Sequence, residues 1–209
     1  PAIAVGCPVI VKPSEDTPLS CISIIKMLRE AGLPKFWCQI VIPENISLAT
    51  KMVEDKRVSF FSFIGSSKVG WFLRSKLAPG TRCALEHGGM APVFIEDDID
   101  NMDELIRLVT KGAFYHAGQV CVSVQKIFIK KNVYKKFVDK LKNNVEKLIL
   151  GNPNHIKTEV GPLIRPSEVN RIDKWVNESK MSGANIITGG KKLSKTSYEP
   201  TIISDVDPA

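Results

Sequence analysis

The sequence predicts an α/β fold in which a parallel sheet is crossed over by helices. Three observations carry this. Short apolar runs alternate along the chain with amphipathic stretches at helical spacing. Proline and glycine punctuate the junctions, ending one element where the next begins. The alternation persists through both halves although their content differs, as expected for repeated strand–helix–strand units.

In order, Cys7 to Lys12 reads as a short buried strand closed by Pro13. Thr17 offers a helix N-cap with Pro18 at the first helical position. Leu19, Ile22, Ile25 and Leu28 form a helical stripe, which Gly32 and then Pro34 stop. Trp37 to Ile42 is a second strand, followed by a polar helix from Ser47 to Lys56. Val58 to Ile64 is a third strand, rich in phenylalanine. Gly65-Ser66-Ser67 turns it into a helix over Lys68 to Leu77, and Thr81 to Leu85 is a fourth strand running into Glu86-His87-Gly88-Gly89.

Beyond the glycines, Pro92 to Ile95 is a strand and Met102 to Ala117 a helix with an acidic start. Gly118-Gln119-Val120-Cys121 makes a turn before a strand at Gln125 to Ile129. A lysine-rich helix runs from Val133 to Leu150 and stops at Gly151-Asn152-Pro153. Ser167 to Ser182 is a further amphipathic helix, and Ile186 to Thr188 a strand before Gly189-Gly190. A boundary near Gly88-Gly89 divides residues 1–88 from 89–209.

Composition narrows the class. The 209 residues are 44% hydrophobic and 24% charged, the balance of a globular protein rather than a disordered tail or coiled coil. The longest apolar stretch, Ala2 to Val11, is broken by Gly6 and Pro8 and is too short to span a bilayer. Five cysteines are an odd number and none form a C-x-x-C pair, so a reducing cytoplasm is expected. A net charge of +7 raises the question of nucleic acid. Tyr134, Phe137, Val138, Leu141, Val145 and Leu148 recur at helical spacing among the lysines, so those lysines read as the outer face of a packed helix. Nucleic acid and membrane are therefore not expected partners.

Four places could carry chemistry, and each has an ordinary alternative. Strand–Gly65-Ser66-Ser67–helix is a generic anion site or a plain turn; it matches neither a Walker A loop nor G-x-G-x-x-G. Lys12 with Glu15 at a strand end could hydrogen-bond a ribose, or be an exposed loop pair. Glu86 precedes two glycines that permit close backbone approach. Cys121 could be a nucleophile toward a carbonyl, or an inert buried thiol, which is the reading for the other four cysteines. His87, His116 and His155 read as structural or surface residues, and no His/Cys spacing fits zinc.

Taken together these segments resemble the aldehyde dehydrogenase superfamily. Val11 to Pro18 is similar to its K-P-S-E-x-T-P segment, and Phe63 to Gly70 to F-T-G-S-x-x-V-G. Leu85-Glu86-His87-Gly88-Gly89 resembles L-E-L-G-G, and Gly118-Gln119-Val120-Cys121 resembles G-Q-x-C. Val160 to Ile164, Gly183-Ala184, Gly189-Gly190 and Glu199 to Ile202 continue the pattern in order. The resemblance spans the whole chain and less than half of a family member. It implies a Rossmann-like parallel-sheet cofactor domain, in part, over 1–88, and part of an α/β catalytic domain over 89–209.

By the same resemblance Cys121 is the nucleophile that forms a thioester, and Glu86 the general base for its hydrolysis. Lys12 and Glu15 bind the adenosine ribose, and Gly65 with Ser66 meets the pyrophosphate. The Glu15 carboxylate should repel a 2′-phosphate, which favours NAD over NADP, although NADP is possible. The expected partner is a small aldehyde, and the parent protein is expected to be a homo-oligomer. His87 stands where leucine is usual, Met90 for lysine, Ile64 for a hydroxyl residue and His116 for asparagine. The E-H-G-G variant implies small oxygenated or anionic aldehydes.

Pro1 opens the chain and Asp207-Pro208-Ala209 closes it without a cap, so both ends are expected to be cuts in a longer protein. The resemblance places one oxyanion asparagine upstream and a second ribose-binding glutamate downstream. Loss of such an oxyanion donor costs ~10²–10³ in turnover in other enzymes. The competing expectation is a truncated product that binds cofactor or a partner without turning over.

Overall fold

The computed structural model describes residues 1–206, so the uncapped end read at Asp207-Pro208-Ala209 lies outside the described residues. The chain divides into two compact units, Pro1–His87 and Gly88–Ala209.

In the first unit β1 (Val9–Val11) pairs in parallel with β2 (Cys38–Ile40), and α1 (Leu19–Glu30) makes the crossover. Gly32, in the left-handed region at φ +95°, ends α1. Its N–H donates to the Arg29 carbonyl and the Leu33 N–H to that of Leu28, so two carbonyls of the last turn find donors. The start differs from expectation. Pro18 occupies the cap position, and the Thr17 N–H is spent on the Ser14 carbonyl in the preceding turn. Cys7 is also exposed rather than buried, because the strand begins two residues after it.

α2 (Ile46–Glu54) is capped by Asn45, whose side chain accepts the Leu48 N–H at 3.0 Å. β3 (Phe60–Gly65) and β4 (Arg82–His87) then pair in parallel over their full lengths, from Phe60 opposite Arg82 to Gly65 opposite His87. α3 (Ser67–Arg74) crosses between them. Alternation with period two decides the faces. Phe61, Phe63 and His87 are half-buried, with His87 and Phe63 against Gly70 of α3. Phe60, Ile64 and Glu86 stand on the other face, where Ile64 is 80% exposed.

In the second unit β5 (Ala91–Ile95) and β6 (Val124–Ile129) pair in parallel. The register slips between Ala91 and Pro92, as expected where proline has no N–H for the ladder. α4 (Met102–Phe114) makes the crossover and α5 (Lys131–Val145) follows β6. Asn101 caps α4 by accepting the Glu104 N–H, with Asp103 and Glu104 at the positive end of the helix. Ile95, Ile106, Val109, Phe137, Leu141 and Val145 form the core, with Phe137 wholly enclosed. Thr110 accepts from Asn144 at 2.9 Å and so joins α4 to α5. The lysines of this region lie outside that core. Lys130 pairs with Glu96 and Asp97, and Lys140 with Asp103.

α6 (Pro166–Met181) leads to β7 (Asn185–Thr188), which pairs antiparallel with β8 (Ile202–Ser204). This last pairing was not anticipated. Gly189 and Gly190 are both left-handed and turn the chain back, and a Cβ on Gly189 would stand 2.2 Å from the Pro200 carbonyl oxygen. No helix among the described residues is long and apolar enough to cross a membrane.

Tyr198 closes a second core cluster with Leu163, Val169 and Val176. Its hydroxyl donates to Asp173 at 3.3 Å, and Lys192 pairs with the same carboxylate at 3.0 Å. Burial first, and then the Asp173 charge, push the Tyr198 phenol up to about 12. Between pH 10 and 12 the unfolded chain has lost this proton while the folded one keeps it, so stability falls as pH rises through that window. Thermal melts should show the excess stability of the wild type over Tyr198→Phe shrinking from pH 10 to 12. A constant difference would remove Tyr198 as the cause.

Candidate active site

The Lys12 ammonium, just beyond β1, donates to the Glu15 carboxylate at 2.6 Å and to the Pro13 carbonyl at 2.7 Å. Proline cannot continue the strand, so the chain leaves β1 in a loop that brings positions 12 and 15 together. At the end of β3, Ser66 caps α3, its Oγ facing the Val69 N–H at 3.4 Å. The first turn of α3 holds no acidic side chain to oppose an anion. Gly65 is accounted for by packing, because a Cβ there would lie 2.6 Å from the Phe63 ring.

Glu86 sits on β4 beside Ile64 of β3 and is exposed. Its neighbour His87 points the other way. That imidazole lies edge-on to the Trp71 ring at 5.6 Å between centroids, and its Nε2 is buried with no hydrogen-bond partner among the described residues. Gly70 makes room for it, since a Cβ would come 2.3 Å from Nε2. His87 therefore joins β4 to α3, in keeping with its reading as structural.

The segment before Cys121 departs most from expectation. α4 stops at Phe114 rather than Ala117. His116, Ala117 and Gly118 then all take left-handed conformations, at φ 51°, 55° and 71°. For residues carrying a Cβ each such step costs roughly 1–2 kcal/mol, so the surroundings must hold it in place. The Gln119 side chain is placed to do so. Its amide nitrogen donates to the His116 carbonyl at 3.1 Å and the Pro162 carbonyl at 3.3 Å, and its amide oxygen accepts the Ile164 N–H at 2.9 Å.

Cys121 follows, exposed, in a turn closed by the Ser123 N–H on the Val120 carbonyl. Against it lies Gly89. A Cβ on Gly89 would stand 2.0 Å from the Cys121 carbonyl oxygen, a separation no side chain allows, whereas a Cβ on Gly88 would meet nothing within 4 Å. The close backbone approach read from the glycine pair is thus made by Gly89 alone. Gln125 of β6 fixes the arrangement by donating to the Gly89 carbonyl at 2.8 Å. An open cleft of about 930 Å³ has Lys111, Tyr115, His116 and Gln119 in its wall, together with Gly161 and Pro162.

Gly89 and Cys121, far apart in sequence, thus meet backbone to backbone. The sequence as a whole matches the aldehyde dehydrogenase family over residues 1–209. The chain belongs to that family. It is 38% identical over 207 residues to 3-sulfolactaldehyde dehydrogenase of Priestia aryabhattai, covering 99% of this chain and 43% of that one. The crystal structure of Staphylococcus aureus betaine aldehyde dehydrogenase in complex with NAD+ superposes with a TM-score of 0.92 at 33% identity, over 99% of this chain and 42% of that one. Glyceraldehyde-3-phosphate dehydrogenase from Methanocaldococcus jannaschii, complexed with NADP, gives 0.90 at 33% identity, over 97% and 44%.

The chain thus has the α/β aldehyde dehydrogenase fold and spans about two fifths of the length of these proteins. Glu86 belongs to the first unit and Cys121 to the second. Sequence reasoning passed over the Gln119 bridge and the left-handed run. The only signal for the first was an amide side chain two residues before the cysteine.

Proposed function

We propose that this chain carries part of the catalytic machinery of an NAD(P)-dependent aldehyde dehydrogenase that oxidises a small aldehyde to a carboxylic acid. The observation that carries the proposal is the contact of Gly89, three residues after Glu86, with the backbone of Cys121. It sets the last glycine of the Glu86-His87-Gly88-Gly89 motif against the turn that bears an exposed thiol, within the second unit.

The Cys121 Sγ, as thiolate, adds to the carbonyl carbon and the electron pair moves to oxygen. The Cys121 N–H donates to that oxyanion. Collapse re-forms the carbonyl, expels a hydride and leaves a thioester on Sγ. NAD(P)+, when bound, supplies the acceptor for that hydride. Glu86 takes a proton from water, whose oxygen adds to the thioester. The C–S bond then breaks, Cys121 leaves as thiolate and the acid departs.

For the cofactor, Lys12 offers donors and Glu15 acceptors to ribose hydroxyls, and the capped start of α3 suits a pyrophosphate. The donor set fits a dinucleotide, and the Glu15 charge favours NAD+ over NADP+ at a ribose 2′ position. Residues 1–88 are the cofactor part and 89–209 the catalytic part. For the substrate, Glu86-His87-Gly88-Gly89 and the anionic aldehydes named for two of the compared proteins support a small oxygenated or anionic aldehyde. A homo-oligomer in the cytoplasm completes the reading.

Glu86→Gln in the full-length protein separates the two half-reactions. A pre-steady-state burst of reduced cofactor should persist near the wild-type rate, while steady-state turnover falls about 10²–10⁴-fold, the usual worth of a general base. Mass spectrometry should then find the acyl group on Cys121. Wild-type turnover in this variant would assign the base to another residue.

A further inference from the structure

We infer that Gln119 is a positioning residue for the nucleophile, latching the turn that presents Cys121 to the Pro162–Ile164 segment. This rests on Cys121 being the nucleophile. The two segments were separate motifs in the sequence, and Gln119 spans them across 43 and 45 residues. Its side-chain amide is almost fully used. Both N–H bonds are committed, one to the His116 carbonyl inside its own turn and one to Pro162, and the oxygen takes the Ile164 N–H. No other uncharged side chain of this length combines two donors with an acceptor in one plane.

The latch acts where the backbone is strained. His116, Ala117 and Gly118 form a left-handed run that would relax if nothing held its ends. The His116 carbonyl takes two hydrogen bonds from Gln119, one from its backbone N–H and one from its side chain. That fixes the direction in which the chain leaves the run, two residues before Cys121. On the far side, Gly89 fixes the Cys121 carbonyl. With one peptide end set by Gln119 and the other by Gly89, the Cys121 N–H and Sγ keep one orientation relative to an incoming carbonyl. Displacing reacting atoms by about 1 Å typically lowers a rate on the order of 10²-fold.

The test compares Gln119→Met, which keeps the length and removes every hydrogen bond, with Gln119→Glu. In the full-length protein both should slow the cofactor-reduction burst about 10–100-fold at pH 8 with the burst amplitude per total enzyme unchanged. A merely structural role would lower the amplitude and spare the rate constant, which overturns the inference. The carboxyl group that Gln119→Glu introduces has no donor while ionised and regains one on protonation. The Gln119→Glu rate relative to wild type should therefore rise about tenfold from pH 8 to 5, toward the carboxyl pKa of ~4.3. A ratio flat with pH overturns it too, and this readout survives if the Met variant does not fold. Amide hydrogen exchange at Ile164 should speed up about tenfold in Gln119→Met, the worth of one hydrogen bond, and stay near the wild-type rate in Gln119→Glu, whose carboxylate keeps the acceptor. That last measurement needs no chemistry at Cys121, so a failed latch and a wrong nucleophile give different results.

Discussion

Replacing Cys121 by alanine in the full-length protein is expected to reduce aldehyde oxidation to background, a loss on the order of 10⁶ if it matches other nucleophile knock-outs. Without Sγ no C–S bond forms, no tetrahedral adduct builds up charge on oxygen, and no hydride is released. The side chain is exposed, so the fold should be nearly indifferent to the change. Cofactor affinity, read by fluorescence titration, should be unchanged, because Lys12, Glu15 and Ser66 are untouched. Dehydrogenase turnover surviving in this variant would end the thioester reading.

Gly89→Ala is expected to be damaging, though less so, through a single methyl group. Its Cβ would have to share space with the Cys121 carbonyl oxygen at 2.0 Å, so one backbone must move. Overpacking of this kind destabilises a fold by about 1–3 kcal/mol. Here the displaced atoms belong to Cys121, the proposed nucleophile, and turnover should fall about 10²-fold or more. Gly88→Ala is the internal control, because a Cβ there meets nothing within 4 Å. Steady-state rates together with melting temperatures of the two variants decide the matter. Equal losses from both would mean that the contact with Cys121 carries no catalytic weight.

Much of this was legible because the deciding signals are local. Gly32 stops α1 with a residue that tolerates φ +95°, and the strand–Gly65-Ser66–helix junction folds as its turn and cap chemistry dictate. The apolar stripe through Phe137, Leu141 and Val145 is the buried face of α5. What escaped is decided at a distance. Phe114-Tyr115-His116-Ala117 contains nothing that breaks a helix, and its left-handed turn is held by a side chain that reaches Pro162 and Ile164. β7 and β8 pair across residues 189–201, a segment whose sequence resembles any loop. The glycine pair announced a close approach without saying to what, and only the structure identifies the Cys121 carbonyl.

The two units bury their apolar residues unequally, and this bears on synthesis. The second encloses a six-residue cluster around Phe137, whereas in the first Phe60, Ile64 and Trp71 remain largely open. The ribosome delivers the open unit before the closed one. At ordinary elongation speed the second takes on the order of ten seconds to emerge. As it emerges, the β3–β4 pair presents exposed Phe60 and Ile64 and a two-stranded sheet with open edges, the features chaperones recognise and aggregates grow from. The β3–β4 face is therefore the part of this chain expected to depend most on protection during translation.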